Sequence, residues 1–167
     1  MRPWRIRPID PSDRSWIRQF VVDHWGAEEM VTHGEVSYPA QLPGFVCTWN
    51  GEVIGLVTYQ VHEKECEIVS LDSLRPQLGI GSALIDAVAD AVRKEGVARL
   101  WLITTNDNLL ALGFYQRRGF HICAVNPDAI TEARKIKPSI PQIGLEGIPL
   151  RDEIVLEMDL DLSPKMR

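Results

Sequence analysis

Gly79-Ile80-Gly81-Ser82 follows an apolar stretch, Ile68 to Leu71, and opens a run in which Ile80, Leu84, Val88 and Val92 recur every four positions. A strand, a glycine loop and an amphipathic helix in that order leave unpaired backbone N–H groups at a helix N-terminus. Such a terminus is suited to a phosphate or pyrophosphate. Glycine lets the backbone approach the anion and take up positive φ at little cost. A dinucleotide-binding fingerprint would need a third small residue at position 84, where this chain has Leu84. Just upstream, Glu65 and Glu67 alternate along the strand leading into the loop. On a regular strand they share one face, where a carboxylate could take a proton from an amine; they also suit a pair of solvated edge-strand charges. Asp72, next to the loop, reads as a turn former. His62 and His121 stand at strand ends without metal-ligand spacing and read as structural or surface residues.

The second chemical set begins about thirty residues later and reads Asn108-x-x-Ala111-x-x-x-Tyr115-x-x-x-Gly119-Phe120. Asn108 can cap a helix, and Tyr115 can pack as an aromatic or offer its hydroxyl as an acid. Taken with the Gly79/Gly81 loop, this pattern resembles the GNAT superfamily of acyl-CoA-dependent N-acyltransferases. The resemblance spans Trp4 to Leu160, and its specific part runs from Glu65 to Phe120. One position departs from the family's Gln/Arg-x-x-Gly-x-Gly/Ala loop: Pro76 stands at the Gln/Arg place and has no N–H to donate.

The resemblance implies acetyl-CoA as cosubstrate and an amine as acceptor, with no metal. Gly79, Ile80, Gly81 and Ser82 would hold the pyrophosphate. The pantetheine arm would lie along Val69 and Leu71, on a strand edge left open where the next strand splays away. Asn108 would bond the cofactor arm, and the Tyr115 hydroxyl would lie near the thioester sulfur. The strand carrying Glu65 and Glu67 hosts the family's base, with Glu67 the nearer to Leu71. A non-catalytic CoA-binding module on the same fold is the alternative.

Composition bounds these readings. The chain has 167 residues, 45% of them hydrophobic and 25% charged, which suits one domain with a single core. The net charge of −5 argues against nucleic-acid binding driven by phosphate attraction. Cys47, Cys66 and Cys123 are widely spaced, which fits free thiols in a reducing, cytoplasmic setting. No apolar run approaches the ~18 residues of a membrane-spanning helix.

The elements that must position these groups are legible in outline. Strands are expected over Trp4–Ile9, Phe45–Trp49, Val53–Val61, Glu65–Leu71, Arg99–Thr104, Phe120–Val125 and Ile154–Leu160. Asn50-Gly51 supplies a hairpin turn. Helices are expected after Ser12 or Asp13, at Glu28–Val31, behind the glycine loop, after an Asn106 or Asp107 cap, and from Asn126-Pro127-Asp128 to Ile136. Gly113 inside a helix suggests close approach of another backbone. The predicted fold is α/β, a mixed, largely antiparallel sheet flanked by helices. A helix-loop insert between Val125 and Ile154 reads as a structural flap or, as the resemblance implies, as an element that shapes the acceptor side.

Overall fold

The computed structural model describes residues 1–161. Its strands are β1 (Arg5–Pro8), β2 (Met30–Thr32), β3 (Glu35–Ser37), β4 (Gly44–Trp49), β5 (Glu52–His62), β6 (Glu65–Ser73), β7 (Arg99–Thr105), β8 (His121–Asn126) and β9 (Glu153–Asp159). Its α-helices are α1 (Arg14–Trp25), α2 (Ile80–Arg93), α3 (Leu109–Arg117) and α4 (Ala129–Ile136). The main sheet has the order β1-β4-β5-β6-β7-β9-β8. Every pairing in it is antiparallel except that of β6 with β7. The mixed, largely antiparallel α/β fold read from the sequence is the fold observed.

Local chemistry explains the frame. Asn50 and Gly51 both have positive φ (52° and 79°), the geometry of a primed hairpin turn that matches strand twist. The apolar stripe of α2, Ile80, Leu84, Ile85, Val88 and Val92, is fully buried on one sheet face. Gly55 in β5 lets it seat there: a Cβ at that position would lie 2.7 Å from Ile80 Cγ2. The opposite face packs Ile17 and Val21 of α1 on Val46 and Leu56.

Four local expectations are corrected. Residues 28–31 do not form a helix; β2 and β3 make a small hairpin instead, turned by His33 and Gly34 at φ 54° and 72°. A four-residue helix has too few hydrogen bonds to offset nucleation, and Val31, Thr32 and Val36 favour extended backbone. Neither Asn106 nor Asp107 caps α3; Asn108 does, accepting from the Ala111 N–H at 3.1 Å. The other two are spent on the insert: Asn106 Oδ1 accepts from the N–H groups of Arg151 and Asp152, and Asp107 Oδ2 from that of Leu145. Asn126 belongs to β8 and does not cap α4, whose N-cap is Asp128 at φ 61°. Nor does Gly113 meet a backbone: a Cβ there would face the movable Arg117 guanidinium.

An arginine and a lysine add to the Asn106 and Asp107 bonds that hold the insert. Arg134 of α4 donates to the carbonyls of Ile140, Pro141 and Leu150, tying the loop to its helix. Lys137 donates to the Glu29 carbonyl at 3.1 Å, which joins the insert to the segment entering the β2–β3 hairpin.

Candidate active site

The decisive feature of the sheet is a fissure. β6 pairs with β7 over four positions, from Glu65↔Arg99 to Ile68↔Leu102, and no further. Beyond Ile68, β7 stays paired with β9 as far as Glu153, while β6 keeps only β5. The separation begins at a bulge: Tyr59 pairs Ile68 and Thr58 pairs Ser70, so Val69 is the extra residue. A bulge bends its strand and increases local twist, which turns β6 away from β7. The backbone of Val69 and Leu71 therefore presents an unpaired edge, available to an extended ligand.

The glycine loop stands past the end of that edge. Gly79, at φ 75°, is the N-cap of α2 and supplies no side-chain cap bond. The first helical N–H groups, including those of Ile80, Gly81 and Ser82, have no intrahelical acceptor and point out of the N-terminus. Ile80 itself is a core side chain, so its contribution to a ligand is its N–H. A Cβ on Gly81 would lie 3.2 Å from Phe114 Cζ, so helix α3 approaches the loop closely here. Of the two residues beside Pro76, Arg75 bonds Glu52 at 3.1 Å and lies over the Trp49 ring, and Gln77 turns the loop at φ 66°.

Tyr115 projects from α3 and is almost buried, its ring packed edge-on against Phe114 and Phe120. Burial raises its pKa, and the charge of Asp72 raises it further, so the hydroxyl keeps its proton at neutral pH. Asn108 uses its side-chain oxygen as the α3 cap, which leaves its amide N–H₂ free for a ligand.

On the α1 face of the sheet, the β2–β3 hairpin overhangs a cleft of about 440 Å³ lined by His33, Glu35, Gln60, Glu65, Glu67 and Trp101, among others. Both predicted carboxylates reach it, but their settings differ. Glu65 is exposed and lies 3.3 Å from Arg99. Glu67 is buried and, among the described residues, has no cationic partner within salt-bridge range; it accepts from Gln60 Nε2 at 2.8 Å. Desolvation pushes its pKa up; the Gln60 bond and His33 pull back, while Glu35 and Glu153 push further. A raised carboxylate facing a cleft is the setting of a general base.

The sequence reading missed His33, Gln60, Trp101 and Glu153 as members of this site. His33 stacks edge-on over Trp101 at 5.2 Å from the hairpin turn. Glu153, buried at the start of β9, also has its pKa raised by desolvation. Gln60 had a usable signal: a two-residue turn at Glu63-Lys64 sets His62 opposite Glu65 and hence Gln60 opposite Glu67. Asp72 is corrected too. It is no turn residue but a member of β6, paired with Leu56.

Comparison with known proteins agrees with this geometry. The sequence model of the Acetyltransferase (GNAT) family matches residues 6–120. The chain belongs to that family. It is 40% identical over 157 residues to YdhI of Bacillus subtilis, covering 93% of this chain and 98% of that one. It is 32% identical over 79 residues to the [ribosomal protein bS18]-alanine N-acetyltransferase of Escherichia coli K12, covering 46% of this chain and 53% of that one. Among solved structures, a GNAT family acetyltransferase from Elizabethkingia anophelis with acetyl-CoA bound superposes with a TM-score of 0.68 at 19% identity. That match covers 95% of this chain and 99% of the other, and shows the shared fold. Membership points to acetyl-CoA-dependent acetyltransferase activity in general, without naming an acceptor. Within this acetyltransferase, β6 carries Glu65 and Glu67 of the acidic cleft at its start and runs through the unpaired edge toward the N-terminus of α2.

Proposed function

We propose that this acetyltransferase transfers the acetyl group of acetyl-CoA to a primary amine by direct attack, with Glu67 as proton acceptor and Tyr115 as acid. The observation that carries the reading is the open edge of β6, flanked by a buried carboxylate in a cleft and by a protonated tyrosine. Pyrophosphate binds the N–H groups of Gly79 through Ser82, and the pantetheine arm runs along Val69 and Leu71 toward Asn108. The thioester then lies in the fissure. An amine arrives as ammonium into a cleft walled by Glu35, Glu65 and Glu67, which favours a cationic acceptor. Its proton passes to Glu67 and out through the cleft. The freed lone pair attacks the carbonyl carbon, the C–S bond breaks, the sulfur takes the Tyr115 proton, and the second proton shed by the nitrogen restores the tyrosine hydroxyl.

The test uses the full chain with acetyl-CoA and a panel of primary amines: spermidine, lysine and a peptide with an N-terminal alanine. Thiol release with at least one amine is expected. CoA binding with no release from any of them would return the chain to a binding module. Gly81→Val, whose side chain would press on Phe114 and the pyrophosphate site, should weaken CoA binding at least about tenfold in calorimetric titration. Equal affinity in a folded variant would displace the pyrophosphate from this loop. Tyr115→Phe should cut kcat by about 10²-fold and leave CoA affinity unchanged.

A further inference from the structure

Glu67 marks the point where β6 leaves β7, and Asp72 stands near the other end of the open stretch. The bulge at Val69 resets the alternation, so Glu67, Ser70 and Asp72 all face the same way, opposite Gln60, Thr58 and Leu56. Two of these pairs are closed: Glu67 with Gln60 at 2.8 Å, and Ser70 with Thr58 at 2.6 Å. The third is not. Leu56 offers Asp72 nothing polar, and Asp72 Oδ2 is buried without a hydrogen-bond partner among the described residues. Three elements bring groups within electrostatic reach of this carboxylate. β5 gives apolar Leu56; the end of α1 gives His24 and the Trp25 indole; and α3 gives Tyr115. Asp72, opposite Leu56, lies on the α1 face and Tyr115 belongs to the core on the α2 face, and the charge of Asp72 still helps raise the Tyr115 pKa.

A buried acceptor atom left open costs stability, and such a group in a native fold calls for a functional account. The chemistry needs one more proton acceptor than Glu67 supplies. An ammonium has three protons and the product amide keeps one; the first lost proton leaves by Glu67, and the second is shed as the C–N bond forms. We propose that Asp72 is a further catalytic carboxylate of the acyl transfer, taking that second proton from the attacking nitrogen and returning it to Tyr115. In the balanced step, the amine lone pair makes the C–N bond and the carbonyl π pair moves to oxygen. The nitrogen gives a proton to Asp72. As the C=O bond re-forms, the C–S pair leaves on sulfur, which takes the Tyr115 proton, and the Asp72 carboxyl reprotonates the phenolate. One proton goes to solvent and one ends on the thiol, and both side chains are restored.

Burial pushes the Asp72 carboxyl up to about 6, with His24 and Trp25 pulling back. A base of that strength is well matched to turnover near neutral pH.

This role rests on the acetyl-transfer reading, and the experiment separates the two. Parent and Asp72→Asn proteins are compared on the amine of the panel that the parent acetylates, with thiol release followed from pH 5 to 9. Calorimetric binding of CoA reports that the variant's fold and cofactor site are intact. Asp72→Asn should bind CoA as the parent does, lose about 10²-fold in kcat, and lack the acid limb near pH 6 of the parent's kcat/KM profile. Asp72→Glu, which keeps a carboxylate on a longer arm, should recover part of the rate and restore an acid limb. A parent-like pH profile in Asp72→Asn would remove Asp72 from the chemistry and leave the acetyl-transfer reading standing. Loss of CoA binding in both variants would make its role structural. A parent that releases no thiol with any amine would remove the underlying reading and this one with it.

Discussion

Asp13 and Asp72 are both carboxylates on the α1 side of the sheet, and they are held in opposite ways. Asp13 is buried with every oxygen engaged: two bonds from Arg7 at 2.7 and 2.9 Å, one from the Trp16 indole and one from the Asp10 N–H. The Arg7 bonds hold its carboxyl far below the usual range. Among the described residues Asp72 has no arginine or lysine against it, only His24 and the Trp25 indole, its Oδ2 has no hydrogen-bond partner, and its pKa is raised. Glu67 resembles Asp72, with a single neutral donor and a raised pKa. Glu65 and Glu157, both beside Arg99, resemble Asp13 in having a cation in reach. The acids that build the fold are thus paired with arginines, and the acids that line the fissure are not. A carboxylate neutralised by arginine is a poor proton acceptor, so the proposed chemical roles fall to the acids without one.

The largest effect expected from this division is at Glu67. Glu67→Gln keeps the Gln60 contact in shape but removes the proton acceptor, and should lower kcat/KM by about 10³-fold at pH 6. The deficit should narrow as pH rises toward the amine's own pKa, where free amine no longer needs a base. A deficit independent of pH would place Glu67 among the structural acids.

Stability offers the next test, with opposite signs at the two aspartates. The folded pKa of Asp13 is depressed, so its contribution is present above the unfolded value and lost as pH falls below it. Asp13→Asn should cost about 2 kcal/mol at pH 7, limited because Arg7 is partly solvated, and the gap should close in acid. The folded pKa of Asp72 is raised, so its ionised form is a burden above about pH 6, and the burden lifts as pH falls toward the unfolded value. Asp72→Asn should therefore gain on the order of 1 kcal/mol at pH 8 and nothing at pH 4. Urea unfolding across pH reads both; a loss at pH 8 in Asp72→Asn would mean that a partner for the carboxylate exists in solution.

The smallest effect is expected at Glu65. Its pairing with Arg99 and its exposure leave it little to contribute. Glu65→Gln should change kcat/KM by less than about threefold at any pH, in the range of exposed ion pairs. A change as large as that of Glu67→Gln would erase the distinction between paired and unpaired acids.

Much of this was written in local patterns. The helix behind the glycine loop, the Asn50-Gly51 hairpin and the alternation of Glu65 with Glu67 follow from periods and turn chemistry that involve only neighbouring residues. The motif from Asn108 to Phe120 likewise needs only one helix to set Tyr115 beside its aromatic partners. These determined the family and set two carboxylates on one face of β6. Tertiary structure decided which acids are free. Arg7 reaches Asp13 across six residues, whereas Arg99 reaches Glu65 across thirty-four and Glu157 across fifty-eight, and no spacing rule announces such long-range pairs. The β2–β3 hairpin that brings His33 over the cleft was too short to outweigh a helical reading of its first residues. The bulge at Val69 is a property of two strands and their twist, not of one. It opens the sheet, turns Asp72 onto the face of Glu67 and sets it opposite apolar Leu56, with no arginine against either carboxylate among the described residues, because pairing depends on what the fold brings near, and the chain records only what is near in sequence.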